Sequence, residues 1–167
     1  TNLSTQAMDI QTYNGAFGTT NNPWDPARTA GGSSGGSAVA MSAGLSSLEL
    51  GSDLSGSIRI PSTFCGVFGH RPSYGIVPTR GHIPGPPGTL AAPDLETAGP
   101  IARSAEDLDL ALRVVARADE KDAVGFPGLS RAPAHSFPFN GMRGPAEPGR
   151  IDEMKDGVLD DQPLSQE

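Results

Sequence analysis

The stretch "GGSSGGSAVAMSAGL", residues 31–45, runs four glycines and three serines straight into an alanine-rich segment, and a second polar loop, "GSDLSGSIRIPS", occupies residues 51–62. Small residues from Ser37 to Gly44 predict a short helix able to pack closely on a neighbour, begun by the glycine run and ended by Gly44. Leu45, Leu48 and Leu50 interleaved with Ser46, Ser47 and Glu49 predict a short strand, and 51–57 a loop. Residues 57–64 predict a helical turn or two interrupted by Pro61. Residues 67–70 predict a buried strand, ended by the turn cluster "RPSYG" at 71–75. The best helix is "SAEDLDLALRVVA", 104–116. Ser104 can cap it, its first turn is acidic, and Leu108, Ala111, Leu112 and Val115 recur at helical spacing.

Composition narrows the classes. The 167 residues suffice for one domain with a core, yet only 36% are apolar, and 22 glycines with 16 prolines approach a quarter of the chain. The formal charge of −7 argues against nucleic acid or an anionic membrane as partner. One cysteine, Cys65, cannot form an internal disulfide, which points to a reducing compartment. No leader and no apolar run near 18 residues is visible, so a cytoplasmic chain is expected. Charge and texture divide the sequence: residues 1–117 carry seven arginines against nine acids, whereas 118–167 carry five bases against ten acids, with six prolines and six glycines. The second segment is expected to be mostly loop or disordered, with a helical turn near 150–158, because it offers too little apolar surface to offset ordering entropy.

Four readings of the Gly/Ser run compete. A phosphate cradle at a helix N-terminus lacks the Gly-Lys-Ser/Thr ending of a P-loop. A G-x-S-x-G nucleophile elbow centred on Ser33 or Ser34 lacks the apolar strand that should precede it, since "NNPWDPARTA" is turn-rich. A plain turn with serines satisfying local N–H groups is the bland reading. The fourth joins the loops. Ser33 and Ser57 are 24 residues apart, and a helix returning to a strand can bring both to one sheet edge. Their hydroxyls then form a relay, and residues 54–57 present backbone N–H groups to an oxyanion.

The text "GTTNNPWDPARTAGGSSGGSAVAMSAGLSSLELGSDLSGSIRIPSTFCGVFGHRPSYGIVP", 18–78, with the looser "ETAGPIARSAEDLDLAL", 96–112, resembles the amidase signature family over roughly residues 10–117. The resemblance implies an α/β fold, a mixed sheet flanked by helices, of which this chain supplies part. It also implies a Ser–cis-Ser–Lys triad without cofactor or metal. Ser57 matches the nucleophile, Ser33 the serine at a cis peptide, and Ser34 a supporting position. Leu54, Ser55, Gly56 and Ser57 match the segment whose amides form the oxyanion hole, and Asp53 and Arg59 match positions that hold that loop. The glycines are then expected to let backbone amides and the cis bond approach the reacting carbonyl. Many family members carry Gly-Gly-Ser where this chain has Ser55-Gly56-Ser57, and a serine at 55 requires φ below zero to avoid strain.

The family's lysine lies well upstream of the serine loops, and neither Lys121 nor Lys155 matches it. The chain is therefore expected to be an internal fragment, inactive alone. The implied activity is hydrolysis of a small carboxylic amide through an acyl-enzyme. The alternatives are a catalytically dead scaffold of the same fold and a glutamine-hydrolysing amidotransferase subunit. A partial sheet with open edges predicts self-association, with a homo-oligomer as one form of it. Outside the motif, Cys65 reads as a small core residue, and Trp24 and Tyr13 as packing against the scaffold. His70 or His82 with Asp53 gives a conceivable but unsupported Ser-His-Asp set. "HIPGPPG", 82–88, is placed by its position to edge a substrate cleft.

Overall fold

The structure, a computed structural model, describes residues 1–82 and 95–117. The acidic 118–167 segment, its expected turn near 150–158, and residues 83–88 of "HIPGPPG" lie outside the described residues. After a single 3₁₀ turn, Thr5–Ala7, a two-residue hairpin pairs β1 (Tyr13–Asn14) with β2 (Gly18–Thr19). The remaining elements are α1 (Gly35–Ser42), β3 (Glu49–Asp53), α2 (Arg59–Cys65), β4 (Phe68–Gly69), β5 (Thr97–Ala102) and α3 (Ala105–Val115). They build a three-stranded antiparallel sheet in the order β3-β5-β4, flanked by helices. Met41 of α1, Ile58, Ile101 and Ala102 of β5 and Leu108 of α3 form the main core, with Val67 and Phe68 packed against it.

Helix α1 ends as its sequence predicts. The Leu45 N–H is donated to Ala40 O at 2.8 Å and the Gly44 N–H to Met41 O at 3.2 Å, the Schellman pattern. Gly44 takes φ +71°, which a side chain would resist. Arg103 adds its guanidinium to the same end, donating to Met41 O and, at 2.7 Å, to Ser46 O. Helix α3 also matches expectation: Ser104 Oγ accepts from the Asp107 N–H at 3.1 Å, Leu108, Ala111 and Leu112 are buried, and Val115 is half-buried. Replacing Ser104 with Ala should therefore cost about 1 kcal/mol, visible as a lower thermal midpoint without change in the folded far-UV spectrum.

Three local expectations are corrected. The strand predicted over 45–50 is β3 at 49–53. Leu45, Leu48 and Leu50 are exposed, at 80%, 43% and 50%, so their alternation marks no buried face. Pro61 does not interrupt α2: it lies in the first turn, and the Ser57 carbonyl that its missing N–H leaves without an i+4 donor accepts from the Ser34 N–H instead. The buried strand expected at 67–70 is the two-residue, half-buried β4.

A strand absent from the sequence reading, β5, is the centre of the sheet although it contains Gly99 and Pro100. In an antiparallel ladder the N–H and C=O of one residue point the same way. Pro100 O accepts from the His70 N–H at 3.0 Å, so the donor it lacks falls toward β4, just past that strand's end at Gly69. A proline is tolerated there because little ladder remains to break.

The outer edge of β3 is not bare. Ser34 Oγ accepts from the Ser52 N–H at 3.2 Å and donates to Ser52 O at 3.4 Å, and Ser37 Oγ donates to Leu50 O at 3.2 Å. Two hydroxyls at the start of α1 thus stand in for a neighbouring strand, which modifies the expected open edge. Apolar surface is nevertheless left uncovered on α3, where Leu110 and Val114 are 63% and 68% exposed.

Candidate active site

The two serine loops meet. The Ser34 N–H, at the mouth of α1, is donated to Ser57 O at 3.2 Å, which places the turn before α2 directly beside the Gly/Ser run. The connection is the helix-and-strand return expected from the sequence: α1 leads down, β3 comes back, and both loops fall at one end. The Gly32–Ser33 peptide is cis. Ser33, Ser34 and Ser57 are all buried.

Asp53, the last residue of β3, is fully buried and organises the loop that follows it. Its Oδ1 accepts from the Gly56 N–H at 2.8 Å and its Oδ2 from the N–H groups of Ile58 and Arg59, at 3.1 and 3.3 Å. Arg59 closes a two-pronged contact, Nε to Oδ2 and Nη2 to Oδ1, each 3.0 Å. Arg71, which the sequence reading passed over, brings a second guanidinium to 3.5 Å from Oδ1. Burial by itself raises the Asp53 pKa, but the Arg59 side chain and the three amides outweigh it and hold the carboxyl below its ordinary range. The same contact raises the Arg59 guanidinium. The loop is thus wound around an ionised carboxylate. Ser55 has no positive φ, whereas Gly56 takes φ +125°, so the Ser-Gly-Ser version of the motif is accommodated without strain at the serine.

Thr12 is a second residue the sequence reading missed. Its Oγ1 donates to Gly31 O (2.9 Å) and Ser33 O (3.2 Å) and accepts from the Gly35 N–H (3.0 Å), pinning the first loop from below. No local pattern announces it, since it lies 19–23 residues before its partners. The glycines of the loop prove to admit this N-terminal segment. A Cβ on Gly35 would sit 2.3 Å from Thr12 Oγ1, and one on Gly32 would sit 2.7 Å from the Gln11 backbone. The close approach visible in the structure is therefore chain against chain.

The other candidates fall into structural roles. The Asp53 oxygens accept from Arg59 and loop amides, with Arg71 3.5 Å from Oδ1, and His82 Nε2 lies 3.5 Å from Glu96 Oε1 and is thus engaged away from Asp53. Cys65 is buried, and burial pushes its thiol up to about 11, which keeps it protonated and unreactive at neutral pH. Trp24 is 72% exposed, contrary to its expected packing, although its indole N–H is donated to Cys65 O at 2.8 Å. Tyr13 is likewise about half exposed, with its hydroxyl on Asp9. Among the described residues no group of three or more His, Cys, Asp or Glu comes together as a metal would need, and no helix is long and apolar enough to cross a membrane.

A family-wide sequence profile described as Amidase matches residues 1–136. A glutamyl-tRNA(Gln) amidotransferase subunit from Deinococcus radiodurans is 46% identical over 130 residues, covering 78% of this chain and 26% of that protein. Among solved structures, the corresponding glutamyl-tRNA(Gln) amidotransferase subunit from Thermotoga maritima superposes with TM-score 0.66 at 43% identity, over 73% of this chain and 26% of its own. An amidase family protein of Bacillus anthracis gives TM-score 0.65 at 33% identity, over 77% and 25%. The chain spans about a quarter of the length of the relatives it matches. With a matching profile across most of its length and the α/β core of those structures, this chain belongs to the amidase signature family.

Proposed function

We propose that this chain carries the nucleophile and relay of an amide hydrolase, with Ser57 attacking the substrate carbonyl and Ser33 passing on its proton. The observation that carries the reading is the Ser34–Ser57 junction, which sets a buried Ser33 beside the Asp53-clamped Ser57 loop. The Gly56 N–H is already donated to Asp53, so the oxyanion donors in this proposal are the N–H groups of Leu54, Ser55 and Ser57. Each donor contributes about 2.7–4 kcal/mol to lowering the barrier. Asp53 and Arg59 keep that loop in shape, and Ser34 ties it to α1 and β3.

In the reaction a bond forms between Ser57 Oγ and the carbonyl carbon while the Ser57 proton moves through Ser33 to a general base. The C–N bond then breaks, and the proton returns to the departing nitrogen. Water next adds to the acyl carbon, and Ser57 leaves with its proton restored. In the family pattern the base is a lysine upstream of both loops, and residues 1–117 contain no lysine. The whole protein's activity needs one placed there, with its pKa lowered by burial. The substrate is a small carboxylic amide and the setting a reducing, cytoplasmic one.

A second reading has a specific observation behind it: two of the similar proteins above are amidotransferase subunits. In that case the amide is glutamine, the product is ammonia, and partner subunits join the exposed apolar surface. Ammonia release from glutamine that depends on added partner subunits separates this reading from the first.

Treating the intact protein with a fluorophosphonate and mapping the adduct by peptide mass spectrometry tests the site. The probe's phosphorus bonds to Ser57 Oγ and fluoride leaves. An adduct on Ser57 is the expected result. A folded protein without one would make the chain a scaffold that keeps the serine loops for structure.

A further inference from the structure

We propose that Thr12 is a positioning residue for the Ser33 relay, a role that rests on the amide-hydrolase reading above. Its single hydroxyl makes three contacts with the loop that carries Ser33, and they are distributed in a telling way. It donates to Gly31 O on one side of Ser33 and to Ser33 O on the other, at 2.9 and 3.2 Å. It accepts from the Gly35 N–H at 3.0 Å, where α1 begins. The Gly31–Gly32 peptide before the serine and the Ser33–Ser34 peptide after it are thereby both tied to one side chain, which restrains the backbone that carries Ser33. Thr12 is itself held, because its carbonyl accepts from the Thr20 N–H at 2.9 Å and only 1% of its surface is exposed. The loop therefore has a rigid anchor outside the two serine motifs.

The arrangement needs a hydroxyl. One oxygen must share its single proton between two carbonyls and accept from an amide, which valine cannot do and serine can. Thr12→Val keeps the volume and leaves Gly31 O, Ser33 O and the Gly35 N–H without their buried partner. Thr12→Ser keeps all three contacts and loses only the methyl group.

The experiment compares second-order rates of Ser57 phosphonylation by a fluorophosphonate in the intact protein, including any chain that flanks these residues. The variants are Thr12→Val, Thr12→Ser, Ser33→Ala and the double variant Thr12→Val/Ser33→Ala, each with a thermal melt. A misplaced relay group should slow Thr12→Val roughly 10–100-fold. Thr12→Ser should stay within about threefold of the parent because its hydrogen bonds are intact. If Thr12 acts through Ser33, the valine change should cost less than about twofold once Ser33 is alanine. Equal slowing in both backgrounds, or slowing by Thr12→Ser as large as by Thr12→Val, would show packing alone and overturn the proposal. A Ser33→Ala protein as fast as the parent would remove the relay itself, overturning both readings. Slow Ser33→Ala beside an unaffected Thr12→Val would overturn only this one.

Discussion

Asp53→Ala is expected to abolish the reaction of Ser57 with a fluorophosphonate and to destabilise the fold by about 3–5 kcal/mol, the range for removing one partner of a buried charge pair. The carboxylate accepts five hydrogen bonds, three from loop amides and two from Arg59. The three buried amides, left without an acceptor, dominate the loss. Arg59 has 56% of its side chain in solvent and can turn to water, and Arg71, 3.5 Å from Oδ1, keeps its Nη2 donation to Leu95 O at 2.7 Å. Arg59→Ala should accordingly cost far less, about 1 kcal/mol. Asparagine is no remedy at 53, because its NH₂ would face donors from Ile58 and Arg59.

The pH dependence has a definite sign. The folded-state pKa of Asp53 lies below its unfolded value, so the carboxylate stabilises the fold fully above the unfolded value, about 3.9. That stabilisation disappears as pH falls through the lower, folded value. Urea midpoints measured between pH 7 and 3 should drop below about pH 4 in the parent, and the Asp53→Ala protein should lack this part of the drop.

Gly36→Ala is the second large effect, and intrinsic preference points the other way. Inside a helix alanine is favoured over glycine by about 1 kcal/mol. Here the added Cβ would sit 2.1 Å from Asn2 O and 2.4 Å from Asn2 N, both backbone atoms. The Gly36 N–H is donated to that same carbonyl at 3.1 Å, and the Asn2 side chain is tied to Gly18 O and to Thr20 Oγ1. Neither side has a flexible end to yield, so overpacking of about 1–3 kcal/mol or more outweighs the propensity gain. The N-terminal segment should come away from α1, seen as faster proteolysis within residues 1–8 and a lowered melting temperature.

Legibility in the sequence followed the range of the interactions. Helix α3 could be read because its cap, dipole and apolar spacing all lie within twelve residues. The end of α1 was equally local. The meeting of the two serine loops was readable as topology, from one helix and one strand between Ser33 and Ser57. Strand β5 was not readable, because what makes Pro100 acceptable is where β4 happens to stop. The leucines at 45, 48 and 50 misled because their spacing is not set by the core of this segment. Thr12 and Arg71 were invisible for the same reason. Each acts across about twenty residues of chain, on atoms that no motif in its own neighbourhood specifies.

The serines that seal β3 carry a consequence for handling the protein. Ser34 and Ser37 occupy the strand's outward groups only while α1 stays docked. Undocking of that helix would part Ser34 from Ser57 and at the same time uncover a ready template for another strand. The contact between the two serine loops and the protection of that sheet edge thus depend on one docked helix.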